Sequence, residues 1–82
     1  MSDAPTATAV TEYLVRELVD DPDAVSVEMV DGRRGPTLEV NVGPGDMGRV
    51  IGRRGRTASS IRTVVRAAAT KDNAEVDVDF VD

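Results

Sequence analysis

Gly52-Arg53-Arg54-Gly55 is the stretch of this chain whose residue types and spacing speak most directly of chemistry. Two glycines three apart let a backbone turn tightly and approach a ligand with no Cβ in the way. The guanidiniums between them are planar, permanently charged forks suited to phosphate oxygens. The stretch lies inside a basic block, because residues 49–71 hold Arg49, Arg53, Arg54, Arg56, Arg62, Arg66 and Lys71 with no acidic residue. The rest of the chain has three basic against 12 more acidic side chains than that, 15 in all, so a +7 segment sits in a −12 body. A whole-chain charge of −5 argues against a nucleic-acid partner. The distribution reverses that argument and predicts an anionic ligand at one place.

The other residues capable of chemistry do not assemble into a catalytic set. With no His and no Cys, histidine bases, thiolate nucleophiles and the usual zinc ligands are excluded. Ser59 and Ser60 have no histidine to activate them. Asp20, Asp21 and Asp23 lack the spaced ligands and distal Glu of a calcium loop, and alternating Asp77 and Asp79 read as solvated strand residues. Neither an enzyme nor a cofactor, a metal or a small-molecule substrate is expected. Gly43-Pro44-Gly45-Asp46-Met47-Gly48 fits a dinucleotide fingerprint, but Gly52 and Gly55 interrupt the helix that should follow, and no Gly-Lys-Ser/Thr occurs. Gly32-Arg33-Arg34-Gly35 repeats the four letters of the basic loop, yet it stands between two strand patterns and reads as a hairpin turn.

The elements that must position the loop follow from periodicity. Ala7, Val10, Leu14 and Leu18, with Tyr13 alongside, predict a helix over 7–19 that Asp20-Asp21-Pro22-Asp23 ends. Val25, Val27 and Met29, then Leu38, Val40 and Val42, alternate with polar residues as an antiparallel pair of strands. Asp46 is placed to cap a short helix containing Met47, Val50 and Ile51. A longer helix over about 56–70 carries an apolar stripe of Ala58, Ile61, Val64, Val65 and Ala68, with Arg62 and Arg66 on its flank. Val76, Val78 and Phe80 form a last strand. The order is α-β-β-α-α-β, an α+β two-layer domain with a three-stranded sheet covered on one face by three helices. Residues 1–5 read as a disordered start and 6–82 as one domain.

Val50-Ile51-Gly52-Arg53-Arg54-Gly55-Arg56-Thr57, joining two helices, resembles the Ile-Gly-x-x-Gly loop of the KH domain, which clamps about four nucleotides of a single strand. The element order is similar to the type II (prokaryotic) KH arrangement. Residues 18–25, 46–52 and 55–58 together resemble the small bacterial single-KH proteins of the KhpA type. The resemblance implies a single-stranded RNA-binding protein of the cytoplasm, acting as a chaperone or regulator linked to cell elongation and division. It also implies a homodimer, or a heterodimer with a KhpB (Jag/EloR)-type KH protein. The alternative reading is a protein-interaction module whose basic helices meet an acidic protein surface. Carried over by position, Gly52 and Gly55 shape the loop and Arg53 and Arg54 occupy its two variable positions; phosphates would lie along Arg53, Arg54 and Arg56, with Thr57 also in the RNA-binding site. Arg49 and Arg62 would add further contacts, and Val50 and Ile51 would line an apolar groove for bases. Neutralising about four phosphates predicts a log–log salt slope near −3. Glu75, Asp77 and Asp79 on the last strand would oppose phosphates along that edge. Tyr13 and Phe80, the only aromatics, stand at core-like positions and cannot supply the stacking platforms of an RRM or OB fold. No apolar run reaches the ~20 residues of a membrane span, so no membrane partner is expected.

Overall fold

Alternating Val, Leu and Met on either side of a turn tetrapeptide build the centre of the molecule. In the computed structural model, which describes residues 4–81, strands β1 (Ser26–Gly32) and β2 (Gly35–Asn41) form an antiparallel hairpin. Met29 pairs with Leu38 and Gly32 with Gly35. Strand β3 (Asp77–Val81) lies parallel to β2 on its other side, with Val78 beside Leu38 and Phe80 beside Val40. Strand patterns do not fix that direction. It follows from the helical crossover between β2 and β3, which returns the chain to the end of the sheet where β2 began. Helices α1 (Pro5–Leu18), α2 (Met47–Ile51) and α3 (Arg56–Lys71) complete the expected α-β-β-α-α-β order.

Leu38, Val40 and Val78 face the helices, which contribute Ala7 and Val15 from α1, Val50 from α2, and Ile61, Val65 and Ala69 from α3. The α1 stripe differs from the expected one. Ala7, Thr11 and Val15 are buried, whereas Leu18 is partly exposed and Tyr13 is 66 % exposed. Thr11 tolerates the core because its hydroxyl donates to Ala7 O at 2.7 Å. Tyr13, two residues further and so about 200° around the helix, is turned outward rather than inward. On α3, Val64 is likewise displaced from the stripe to 46 % exposure, and Ala69 takes a buried place.

The start of the chain is ordered earlier than expected: Ala4 is buried and α1 begins at Pro5, leaving only residues 1–3 of the expected disordered tail outside the described residues. Pro5 suits a first helical position because its missing N–H has no partner there. Ala4 cannot cap, and the cap comes from the other end of the sequence. The Asp72 carboxylate accepts the Thr6 and Ala7 N–H groups at 3.3 and 3.1 Å. Burial pushes the Asp72 carboxyl upward. The Thr6 side chain and the two N–H donors outweigh that and hold it below the usual range. Since this carboxylate follows α3, the cap ties the two helices antiparallel. A left-handed Asn73 closes α3, with the Asn73 N–H on Thr70 O and the Ala74 N–H on Ala69 O.

The face of the sheet away from the helices carries a cross-strand row of Glu28, Glu39 and Asp79. No basic side chain pairs with any of the three among the described residues.

Candidate nucleic-acid interface

The loop is held at both ends by backbone that only particular residues permit. Gly52 ends α2 at φ +73, and a Cβ there would run into the Thr57 side chain, 2.7 Å from its Cβ. Glycine is therefore required twice over at this position. Arg54 and Gly55 follow in left-handed conformation, φ 55 and 72, so the chain reverses within four residues. Nothing lies within 4 Å of where a Gly55 Cβ would sit. The Thr57 side chain packs beside Gly52 and forms a wall of the loop.

The consequence is a small positive surface with open donors. The Gly52 and Gly55 N–H groups bond to Gly48 O and Gly52 O, while those of Arg53 and Arg54 have no backbone acceptor among the described residues. α3 starts immediately afterwards without a side-chain cap or an acidic residue in its first turn. Its positive end, equivalent to about half a charge, is thus uncompensated. Arg53, Arg54 and Arg56 surround a shallow depression of ≈ 320 Å³, are exposed, and have no carboxylate partner among the described residues. Three unpaired guanidiniums, free N–H groups and an uncapped helix start converge where an anion could be held.

Three of the expected site residues are placed elsewhere. Val50 is fully buried in the core and cannot touch a base; half-buried Ile51 alone remains at the edge of the loop. Arg49 is engaged by Asp20 at 2.9 Å and by Asp46 at 3.5 Å. Arg62 turns toward β3, donating from Nε to Val78 O at 3.2 Å and lying 5.3 Å from the Phe80 ring centroid. For half-buried Arg62 the bond meets the need of a partly buried guanidinium for an acceptor, whereas exposed Arg49 is held by the two neighbouring carboxylates.

Asp46 has a different role from the cap expected of it. It stands at the N-cap position of α2 but makes no cap bond. Its carboxylate, 3 % exposed, instead accepts the Asp20 N–H at 3.2 Å and the Asp21 N–H at 3.1 Å. The α1–β1 turn is thereby stitched to the start of α2, fixing the approach of the loop. Only the unusual presence of a carboxylate among small and apolar neighbours could have signalled it. The stitching uses the backbone N–H groups of Asp20 and Asp21, and among the described residues no group of acidic side chains is arranged to hold a metal ion.

The family model described as KhpA/KhpB, KH domain, matches residues 8–80. An RNA-binding protein KhpA of Clostridium acetobutylicum is 49% identical over 70 residues, covering 85% of this chain and 93% of its own. The Mycobacterium tuberculosis RNA-binding protein KhpA is 49% identical over 71 residues, covering 87% of this chain and 85% of its own. Among solved structures, Era in complex with MgGDPNP and a segment of 16S ribosomal RNA superposes with TM-score 0.59 at 17% identity. The match covers 90% of this chain and 28% of that one, and at this identity it speaks for the fold alone. The family match spans nearly the whole described chain, and the fold agrees with it. The chain belongs to the KhpA/KhpB KH-domain family.

Proposed function

We propose that the protein is a non-catalytic binder of single-stranded RNA that holds the phosphate backbone on the Gly52–Gly55 loop. The observation that carries this reading is the trio Arg53, Arg54 and Arg56, unpaired beside the uncapped start of α3. Every other arginine of the basic block has a partner inside the protein: Arg49 with Asp20 and Asp46, Arg62 with Val78 O, Arg66 with Asp77. Relatives that bear the name RNA-binding protein support the same ligand. The cellular role follows the family resemblance: a cytoplasmic RNA chaperone or regulator in cell elongation and division. Replacing both loop arginines, Arg53→Asp/Arg54→Asp, is expected to lower affinity for single-stranded RNA more than a hundredfold while leaving the circular dichroism spectrum unchanged. Undiminished affinity in a folded variant would refute the reading.

A second reading, association with another KH chain, is favoured by Tyr13 and Val64, both large, apolar and solvent-facing on the antiparallel helices α1 and α3. A homodimer, or a heterodimer with a KhpB-type protein, would cover them. Sedimentation of Val64→Asp against the native chain tests it; identical monomeric profiles contradict it.

A further inference from the structure

The sheet has two free edges, and they are guarded unequally. Strand β3 forms one of them; it is five residues long, carries Asp77 and Asp79, and has its Val78 carbonyl taken up by Arg62. Short length, charge and a covering side chain all discourage pairing with a further strand. Strand β1 forms the other edge. It runs seven residues without a lysine, a proline or a bulge, in unbroken register with β2 from Ser26 to Gly32.

The hairpin register fixes which backbone groups of β1 are left over. Pro36 has no N–H, so Asp31 and Pro36 form a pair without mutual hydrogen bonds. By alternation, Met29 and Val27 stand in pairs of the same kind, and all three residues aim their N–H and C=O groups outward. No strand meets them there among the described residues. Alongside, Met29 and the first turns of α1 at Ala4, Pro5 and Ala9 line an open groove of ≈ 400 Å³.

The charges at the two ends of β1 indicate what pairs with it. Asp21 and Asp23 precede the strand, and Arg33 and Arg34 follow it. All four are exposed and without an ion-pair partner among the described residues. A second copy laid antiparallel sets the arginines of each chain beside the aspartates of the other, whereas a parallel one sets like on like. Two-fold symmetry keeps facing side chains on one side of the sheet, so the seam is centred on a single residue. Centring on Glu28 sets two carboxylates face to face. Centring on Val30 carries Arg33 and Arg34 past the aspartates to Val27 and Ser26. Centring on Met29 puts Glu28 against Val30, leaves Arg33 and Arg34 opposite Val25 and Ala24, next to Asp23, and brings the two grooves together.

We propose that β1 is the seam of a symmetric pair of copies, centred on Met29, that joins two three-stranded sheets into one of six strands. The seam shares no residue with the Gly52–Gly55 loop or with the Tyr13 and Val64 surface, so it is independent of both readings above.

The chain has no cysteine, so introduced thiols report the register. Chains carrying Glu28→Cys and Val30→Cys, each with Val64→Asp to silence the helical surface, are mixed in equal amounts, mildly oxidised and weighed by mass spectrometry. Facing residues of a pair without hydrogen bonds lie about 4.5 Å apart at Cα, within disulfide reach. The mixed disulfide is expected to exceed either self-linked product about tenfold. Only twice as much mixed as self-linked product, the statistical outcome of random collision, overturns the seam, and so does the absence of any linked product. Sedimentation adds a test of the charges. Arg33→Asp/Arg34→Asp and Asp21→Arg/Asp23→Arg, again with Val64→Asp and with native circular dichroism, should each associate about tenfold more weakly than Val64→Asp alone. Mixing the two should restore association, and a mixture that stays monomeric contradicts the antiparallel seam.

Discussion

The same tetrapeptide occurs twice in this molecule, and the two copies do different work. In Gly32-Arg33-Arg34-Gly35 the flanking residues are strands, and the glycines face one another as the last pair of the hairpin. In Gly52-Arg53-Arg54-Gly55 the flanking residues are helices, so the loop inherits unbonded N–H groups and the positive end of α3. The hairpin offers only its side chains, above a groove lined with as many carboxylates as guanidiniums. The loop adds backbone donors and a third guanidinium, Arg56, with no carboxylate at the depression they form. A motif acquires its chemistry from the elements that end at it.

That contrast can be broken at the glycines. Gly52→Ala forces a side chain into Thr57 at φ +73 and is expected to cost about 2–4 kcal/mol in a urea titration. It should abolish RNA binding as well. Gly35→Ala, at φ +111 but in open space, carries the backbone strain alone, about 1 kcal/mol, with RNA binding to a four-nucleotide strand intact. Equal effects of the two substitutions would show that the copies are equivalent.

Between those two in size comes Asp46→Ala. It strands the Asp20 and Asp21 N–H groups and releases Arg49, at an expected cost of about 1–3 kcal/mol by urea denaturation. No change in stability would mean that the approach of the loop is set by packing alone. Smaller still, and opposite in sign, is Glu39→Gln. Glu39 is the middle of the Glu28–Glu39–Asp79 row, and relieving two like-charge neighbours should raise stability by less than about 1 kcal/mol. An unchanged or lower denaturation midpoint would contradict this.

Asp72 gives the pH dependence. Its carboxyl is held below the usual range in the folded chain, so its contribution is complete above the unfolded value of about 3.9 and is lost as pH falls through the lower folded value. Asp72→Asn should therefore be less stable than the native chain at neutral pH, with the difference shrinking in acid. A difference constant from pH 7 to pH 2 would rule out this carboxylate as the source.

The element order and the loop were legible from the chain because each rests on a local signal. Period two marked the hairpin, period 3.6 marked α1 and α3, and two glycines inside an Arg block marked the turn. What could not be read were facts about neighbours. Tyr13 leaves its expected core place and Thr11 is buried because the direction of the core depends on how α1 lies on the sheet, and Thr11 has a local acceptor that makes burial tolerable. Val50 stands two residues before the loop yet belongs to the core. Arg49, Arg53, Arg54, Arg56 and Arg62 look alike in the chain. They separate only when Asp20, Asp46 and Val78 O take up two of them. Local composition reports how much charge is present, whereas tertiary contacts decide how much of it is free.

The number of free charges is what a salt titration counts. With Arg49 and Arg62 engaged, three guanidiniums remain at the loop, and the log–log slope for a four-nucleotide single strand should be about −2, not the −3 expected for four neutralised phosphates. In Arg53→Ala/Arg54→Ala the slope should flatten to about −0.7, one remaining phosphate contact. A native slope that the double variant leaves unchanged would contradict the assignment of the phosphate backbone to this loop.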